Sequence, residues 1–373
     1  MAEEQGWLEV GARVADARKA RGYSQDHLAN ELGVDRTAIT KIEAGRRQIN
    51  SLELVRLAEV LGRPLQWFVS PPPDAVISRR AAVADQRSDQ KSDLAIEDIA
   101  RDLAVLAGVR VLTPNTAKGS LNSIKPGDNT NWSVELAASK ARSLLGVDSC
   151  QPLYDLVDLV ERAGLFPYSL ALGEGAADGA YVEVEGLGVA LINGEIDPGR
   201  RRSTLAHELG HHLFGDAYSV DWGTDTDATE CAIDSFAINL LFPRIGVTRR
   251  WRDLRNNSDL RQSAIIISAE YRVSWTAALR QLRTFELISK DEYKSLDSRS
   301  PTRADYLECN LRVIEELQPP YIPTGVSAAA IRAYRTYRLS AERVTEMLRG
   351  EIDIDDLPVR DEMPLEALRG ELS

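Results

Sequence analysis

The chain has 373 residues, 43% of them hydrophobic and 27% charged, and a formal net charge of −12. That length leaves room for roughly two or three domains with buried cores. The negative balance excludes a surface coated uniformly for nucleic acid or acidic membrane, so any DNA contact must come from a local basic patch. The cysteines Cys150, Cys231 and Cys309 are far apart, odd in number and without metal-ligand spacing, and they read as reduced thiols. The opening MAEEQGWLEV lacks a basic segment followed by an apolar run, and the longest apolar stretches, such as AIIIS at 264–268, are core-sized. The expectation is a soluble cytoplasmic protein with no membrane segment.

In chain order, residues 7–69 read as a small all-helical unit. Apolar residues recur at helical spacing in Val10, Val14 and Ala17, in Leu28 and Leu32, and in Leu52, Val55, Leu57, Ala58 and Leu61. Ser24 and Asp35 stand at N-cap positions, and Gly33, Gly45 and Gly62 stand where helices should stop. The stretch from Pro71, PPPDAVISRRAAVADQRSDQKSD, combines prolines with mixed charge and reads as a linker over 71–92, with part of it open to helix. A helix is expected at about 93–107, and TPNTAKGSLNSIKPGDNTN (113–131) reads as a long surface loop. Helices follow at 132–145 and 152–163, then β-like runs at 165–172, 180–184 and 188–193. Two helices span roughly 201–214 and 227–241, and the remainder is helical, the last helix lying near 340–349. From Glu351 to the end, eight acidic residues face only Arg360 and Arg369, which predicts a loosely ordered, solvated tail.

The chemistry concentrates in RRSTLAHELGHHLFGD. On a helix, residues four apart share a face, so His207 and His211 can both direct a ring nitrogen at one ion. Glu208 is offset in angle and can reach a water at the metal's open position. The chain has only four histidines, so HELGH is an improbable accident of composition. His212 points elsewhere on the helix, toward packing or capping. A third ligand is needed, and His27 lies in the N-terminal unit. In the second helix Ile233, Phe236, Ala237, Leu240 and Leu241 trace an apolar stripe whose backward extension lands on Glu230. A carboxylate on a buried face is costly unless a cation offsets its desolvation. Glu230 is therefore a candidate third ligand, or else an acid favoured by the helix N-terminus. Asp234 either accepts a hydrogen bond from the non-ligating nitrogen of a bound histidine or is a second such acid.

RRRSTLAHELGHHLFG followed by ECAIDSFAINLLFP (230–243) resembles the ImmA/IrrE family of metallopeptidases. GAYVEVEGLGVALINGEIDPGRRR upstream and SAEYRVSWTAALRQLRTFELIS downstream are similar to the flanking segments of that family, so the likeness covers about 132–295. It implies a Zn2+ ion, one per chain, held by His207, His211 and Glu230, with Glu208 as general base. Ile233 and Asp234 stand where Ala and Asn are usual, and Phe242 where Met is usual; none of these is a ligand position. Tyr218 lies close in sequence but reads as an ordinary core or surface tyrosine. The resemblance also implies a bacterial or phage-related protein whose substrate is a specific intracellular protein, transcriptional repressors being the associated class.

SQDHLANELGVDRTAITKIEAGRRQINSLELVRLAEVLGRPLQWF (24–68) resembles the Cro/repressor-type, or XRE, helix-turn-helix family. Carried over position by position, Arg36, Thr37, Thr40 and Lys41 face base edges, and Gln25, Arg46 and Arg47 meet phosphate or the groove edge. Acidic and basic residues balance at ten each over 1–70, so the electrostatic footprint is narrow. Double-stranded DNA is the expected partner of residues 7–70, bound by a homodimer, because a single motif covers too little DNA.

The whole is expected to be mostly α with a small β-sheet (α+β). A helix-turn-helix domain at 7–70 and a linker at 71–92 lead into an HExxH zincin-like metallopeptidase domain at 93–295. A helical C-terminal extension with an acidic tail occupies 296–373. The competing class is a non-catalytic transcriptional regulator or antitoxin-like protein that uses the metallopeptidase fold for sensing or partner binding. Glu208 argues for chemistry, since a purely structural zinc site is closed by four protein ligands and has no use for it.

Overall fold

Side-chain and glycine caps delimit two of the helices of the N-terminal stretch. The computed structural model describes residues 2–70, 75–79, 86–112, 120–121, 134–173, 175–184, 186–215, 226–312 and 314–361. Helices α1 (Ala2–Ala20), α2 (Gln25–Leu32), α3 (Arg36–Glu43), α4 (Ser51–Leu61) and α5 (Leu65–Val69) come first. The Ser24 hydroxyl accepts the His27 N–H at the head of α2, and Gly33 closes that helix in the left-handed conformation. Asn50 and Glu53 form a reciprocal capping box on α4, which Gly62 ends. Asp35 occupies the N-cap of α3 without a side-chain bond. Val14, Ala17, Leu28, Ile39, Ile42, Leu57, Leu61, Trp67 and Phe68 are buried together. Two residues expected inside α4 are outside: Leu52 is 75% exposed and Val55 37%. The inward stripe runs through Leu54, Leu57, Ala58 and Leu61, and at about 100° per residue Leu52 and Val55 fall beyond its edge.

These helices belong to one compact unit, Met1–Asp74 with Ala84–Arg101; the other comprises Ala75–Val83 and Asp102–Ser373. The chain continues through β1 (Ala75–Arg79), α6 (Gln86–Gly108), α7 (Val134–Leu144), α8 (Leu156–Arg162), β2 (Leu165–Leu170), β3 (Gly179–Val184) and β4 (Leu187–Asn193). After these come α9 (Pro198–Phe214), α10 (Thr226–Leu241), α11 (Arg244–Asn257), α12 (Leu260–Glu270) and α13 (Trp275–Thr284). The last helices are α14 (Lys290–Asp297), α15 (Arg303–Glu308), α16 (Thr324–Arg335) and α17 (Ala341–Met347). The described residues are thus mostly helical with one small sheet of order β1-β3-β4-β2, in which β2 and β4 are parallel and the other pairs antiparallel.

The expected linker is partly structured. Ala75 to Arg79 pair with Val184 to Ala180 of β3, and α6 already begins at Gln86. Prolines and mixed charge are local signals, whereas AVIS meets its hydrogen-bonding partner about a hundred residues away in sequence. Of the expected 113–131 loop only residues 120–121 are described, and Leu121 is buried in the core, its N–H bonded to the Leu213 carbonyl. The acidic tail is solvated as expected as far as Asp361, but it is fixed near that residue. Arg360 stacks on Tyr334 and Tyr337, and Asp361 pairs with Arg335. Residues 362–373 lie outside the described residues.

Helix α9 is the centre of the second unit. Asp197 accepts the Gly199 and Arg200 amides at its head, Pro198 supplies a pre-set φ, and Gly215 stops it in the left-handed region. From Thr204 to Phe214 every residue is buried, between the sheet and α10. Among the described residues no single helix is long and apolar enough to cross a membrane.

One buried cation joins distant parts of this unit. Arg142 of α7 is 1% exposed and donates to the Leu240 carbonyl at the end of α10 and to the carbonyls of Asp148 and Gln151. Burial depresses its pKa, while its donors satisfy carbonyls from three separate points of the chain. Substituting Arg142→Ala strands those carbonyls and is expected to cost about 3 kcal/mol or more. Chemical denaturation measures this; a loss under about 1 kcal/mol would mean that water replaces the guanidinium.

Candidate metal centre and nucleic-acid interface

Helical spacing brings His207 and His211 onto one face of α9, their rings 4.9 Å apart between centroids and their Nε2 atoms 3.1 Å apart. Helix α10 adds Glu230, whose Oε2 lies 3.2 Å from His207 Nε2 and whose Oε1 lies 3.6 Å from His211 Nε2. These three side chains have ligand-capable atoms within 4.8 Å of one another and could hold a metal ion. A tetrahedral ion with donors at about 2.0–2.1 Å keeps them about 3.3 Å apart, which the observed separations match. The donor set of two imidazoles and one carboxylate also suits a borderline-soft divalent ion.

Asp234, one turn after Glu230, accepts the His207 Nδ1–H at 2.9 Å. That bond assigns the proton to Nδ1 and leaves the Nε2 lone pair directed at the cluster. Burial opposes charge on His207, but hydrogen bonds to Asp234 and Glu230 and the nearby Glu208 outweigh it and raise its pKa to about 9. Burial pushes the Glu230 pKa up, and the two histidines more than reverse this, leaving it lowered. A proton and a metal ion therefore compete for the same nitrogen.

Glu208 is 1% exposed and packs under β3, where a Cβ on Gly179 would lie 2.9 Å from its Oε1 and 2.3 Å from Thr204 Cγ2. Only a residue without a side chain lets the strand come so near the carboxylate. Gly210 does the same between helices: a Cβ there would meet Ile233 at 3.0 Å and Phe236 at 3.2 Å. His212 takes the packing role expected of it. Its Nε2–H donates to the Ala163 carbonyl at 3.0 Å, and Nδ1 accepts from the Tyr181 hydroxyl at 3.2 Å. Sequence reasoning singled out neither Gly179 nor Tyr181; the glycine of GAYV was the available signal, and the tyrosine carried none. Tyr218 lies outside the described residues.

In the N-terminal unit Arg36, Thr37, Thr40, Lys41 and Arg46 are exposed on or just after α3. Gln25 and Arg47 are half-buried and already engaged. Gln25 donates to Glu43 at 2.8 Å and accepts from the Thr40 hydroxyl at 3.2 Å, while Arg47 pairs with Glu53 at 2.5 Å. Arg36 lies 3.7 Å from Asp26, an exposed pair of little energetic weight. Glu43 also receives Arg18 from α1 at 2.5 Å, so one carboxylate ties α1, α2 and α3 together. The I-x-x-x-E-x-G-x-R pattern marked that glutamate, but its arginine partner is 25 residues away.

Two family models match the chain. Residues 14–68 match the helix-turn-helix family, and residues 161–283 match the IrrE N-terminal-like domain. The protein therefore joins a helix-turn-helix domain of the XRE type to a metallopeptidase-like domain of the ImmA/IrrE type. No curated protein and no solved structure matches it.

The approach of α10 to α9 at Gly210 has a measurable consequence. Gly210→Val inserts a branched side chain into a filled interface and is expected to cost about 1–3 kcal/mol. It should also weaken metal retention by displacing Glu230. Thermal melting with and without a chelator reads both effects, and an unaltered melting curve would show that the helices can part without loss.

Proposed function

We propose that this protein is a DNA-binding regulator carrying a zinc-dependent endopeptidase, whose substrate is a specific intracellular protein of the transcriptional-repressor class. The observation that carries the reading is the convergence of His207, His211 and Glu230 beside a buried Glu208. His207, His211 and Glu230 hold the zinc ion, and Asp234 orients His207. A zinc ion there supplies Lewis acidity, making water more acidic and polarising a carbonyl. Glu208 acts as general base: it takes the proton of the attacking water and passes it to the leaving amine. Its enclosure under β3 limits competing water and strengthens its electrostatic effect.

Residues 7–70 bind duplex DNA, as a homodimer, with the N-terminal end of α3 in the major groove. Arg36, Thr37, Thr40 and Lys41 read base edges. Arg46 meets phosphate, and Gln25 and Arg47 border the groove while bracing α3 and α4. Tethering at an operator raises the effective concentration of the peptidase near a repressor bound there.

Elemental analysis tests the metal reading. About one zinc per chain is expected in the wild type and in Glu208→Gln, and little in His207→Ala or Glu230→Ala. Glu208→Gln should lower cleavage of the repressor by about a hundredfold or more and retain it in pulldowns. Zinc-free wild-type protein would favour the non-catalytic regulator, and undiminished cleavage by Glu208→Gln would remove Glu208 from the mechanism.

For the DNA reader, Arg46→Ala should weaken binding to all sequences alike and reduce the salt slope by about one. Arg36→Ala should relax discrimination at one base pair by about 1–3 kcal/mol. Fluorescence anisotropy at several salt concentrations separates the two. Equal loss of specificity in both variants would contradict the assignment.

A further inference from the structure

The N-terminal end of α9 meets the turn between α12 and α13 at a cleft of about 880 Å³, toward the opposite end of α9 from His211. Arg200, Arg202, Arg272, Arg280 and Arg312 line it, against the carboxylates of Asp197 and Glu316. Both carboxylates are already engaged. Asp197 caps the amides of Gly199 and Arg200, and Glu316 is shared by Arg202 and Arg272. Arg200 pairs with Asp178, while Arg280 and Arg312 form no ion pair among the described residues.

Arg202 bonds Glu316 and the Leu153 carbonyl beside the cleft. Arg202 is 2% exposed and Trp275 8%, yet Arg202 Nε and the Trp275 indole N–H are buried without a hydrogen-bond partner. Buried donors left in this way call for a water, an ion or a ligand. Burial holds the Arg202 pKa below its ordinary value, and Glu316 alongside opposes that shift. The first residues of α13, Trp275 and Thr276, also line the cleft, and the N-terminal end of a helix favours negative charge. Arg280 and Arg312, which form no ion pair among the described residues, and the helix N-terminus beside them favour an acceptor-rich anion. Guanidinium forks fit phosphoryl oxygens in paired hydrogen bonds.

The geometry points to this cleft as a binding site for a phosphate-bearing small molecule, separate from the metal cluster and from the DNA-reading helix. Its volume lies within the range of small-ligand pockets. Arg280 and Arg312 supply the countercharge, while the Arg202–Glu316–Arg272 group forms a pre-organised floor. The site stands on its own residues and does not depend on peptidase activity.

The test uses the full-length protein, with inorganic phosphate and adenosine monophosphate as probes and chloride at matched ionic strength as control. Each probe should raise the thermal midpoint in a saturable manner beyond the chloride control. The Arg280→Ala/Arg312→Ala double variant changes only exposed side chains, and its apparent dissociation constant should rise about tenfold or more. His207→Ala and Arg36→Ala/Arg46→Ala should keep the wild-type response, which separates the cleft from the metal cluster and from the helix-turn-helix. Several results would overturn the proposal: no saturable shift in the wild type, an undiminished shift in the double variant, or loss of the shift in either control variant. Displacement of the bound probe by short duplex DNA in the Arg36→Ala/Arg46→Ala background would also overturn it, assigning the cleft to nucleic acid.

Discussion

The packing of α10 on α9 sets where Glu230 stands relative to His207 and His211. Gly210 lies between the two histidine turns and leaves no side chain between the helices, so Ile233 and Phe236 pack directly against its backbone. With that contact in place, Glu230 and Asp234, one turn apart on α10, reach the two different nitrogens of His207. The same imidazole is thereby oriented through Nδ1 and presented through Nε2. Little of this comes from α9 alone, since a helix can align two histidines but cannot bring a carboxylate across to them.

The scaffold around this contact is held by polar groups with many partners each. Arg142 binds carbonyls at the end of α10 and in the 148–151 turn. His212 fastens α9 to Ala163 and Tyr181. The N-terminal unit repeats the strategy with Glu43, which receives Arg18 and Gln25. Buried polar groups of this kind specify one arrangement of helices, because each alternative arrangement leaves a donor or acceptor unmet. At the head of α9 the same device recurs, with Glu316 shared by Arg202 and Arg272.

Much of the fold was legible in local patterns. Ser24 and the left-handed glycines Gly33 and Gly62 mark real helix ends, Asp35 stands at the N-cap of α3 without a side-chain bond, and the glycine-punctuated runs before α9 are real strands. HELGH was legible because a period of 3.6 residues places positions four apart on one face, whatever the rest of the chain does. The errors came where a partner is distant. Leu52 and Val55 look as apolar as Leu57 but miss the inward stripe. AVIS was hidden in a stretch with the composition of a linker, and Leu121 was hidden in a loop rich in Gly, Pro and Asn.

The sequence by itself determined the helix periodicities, the caps and the chemical identity of the groups in HELGH, because these depend on neighbours within about one or two turns. It left Glu230 and Asp234 each with two readings, since stripe position and helix dipole act on both. Tertiary structure decided which histidine nitrogen each acid faces, which residues close over Glu208, and that five arginines line one cleft. Those outcomes depend on distances between elements far apart in the chain, which are set by how side chains fill the space between helices and sheet.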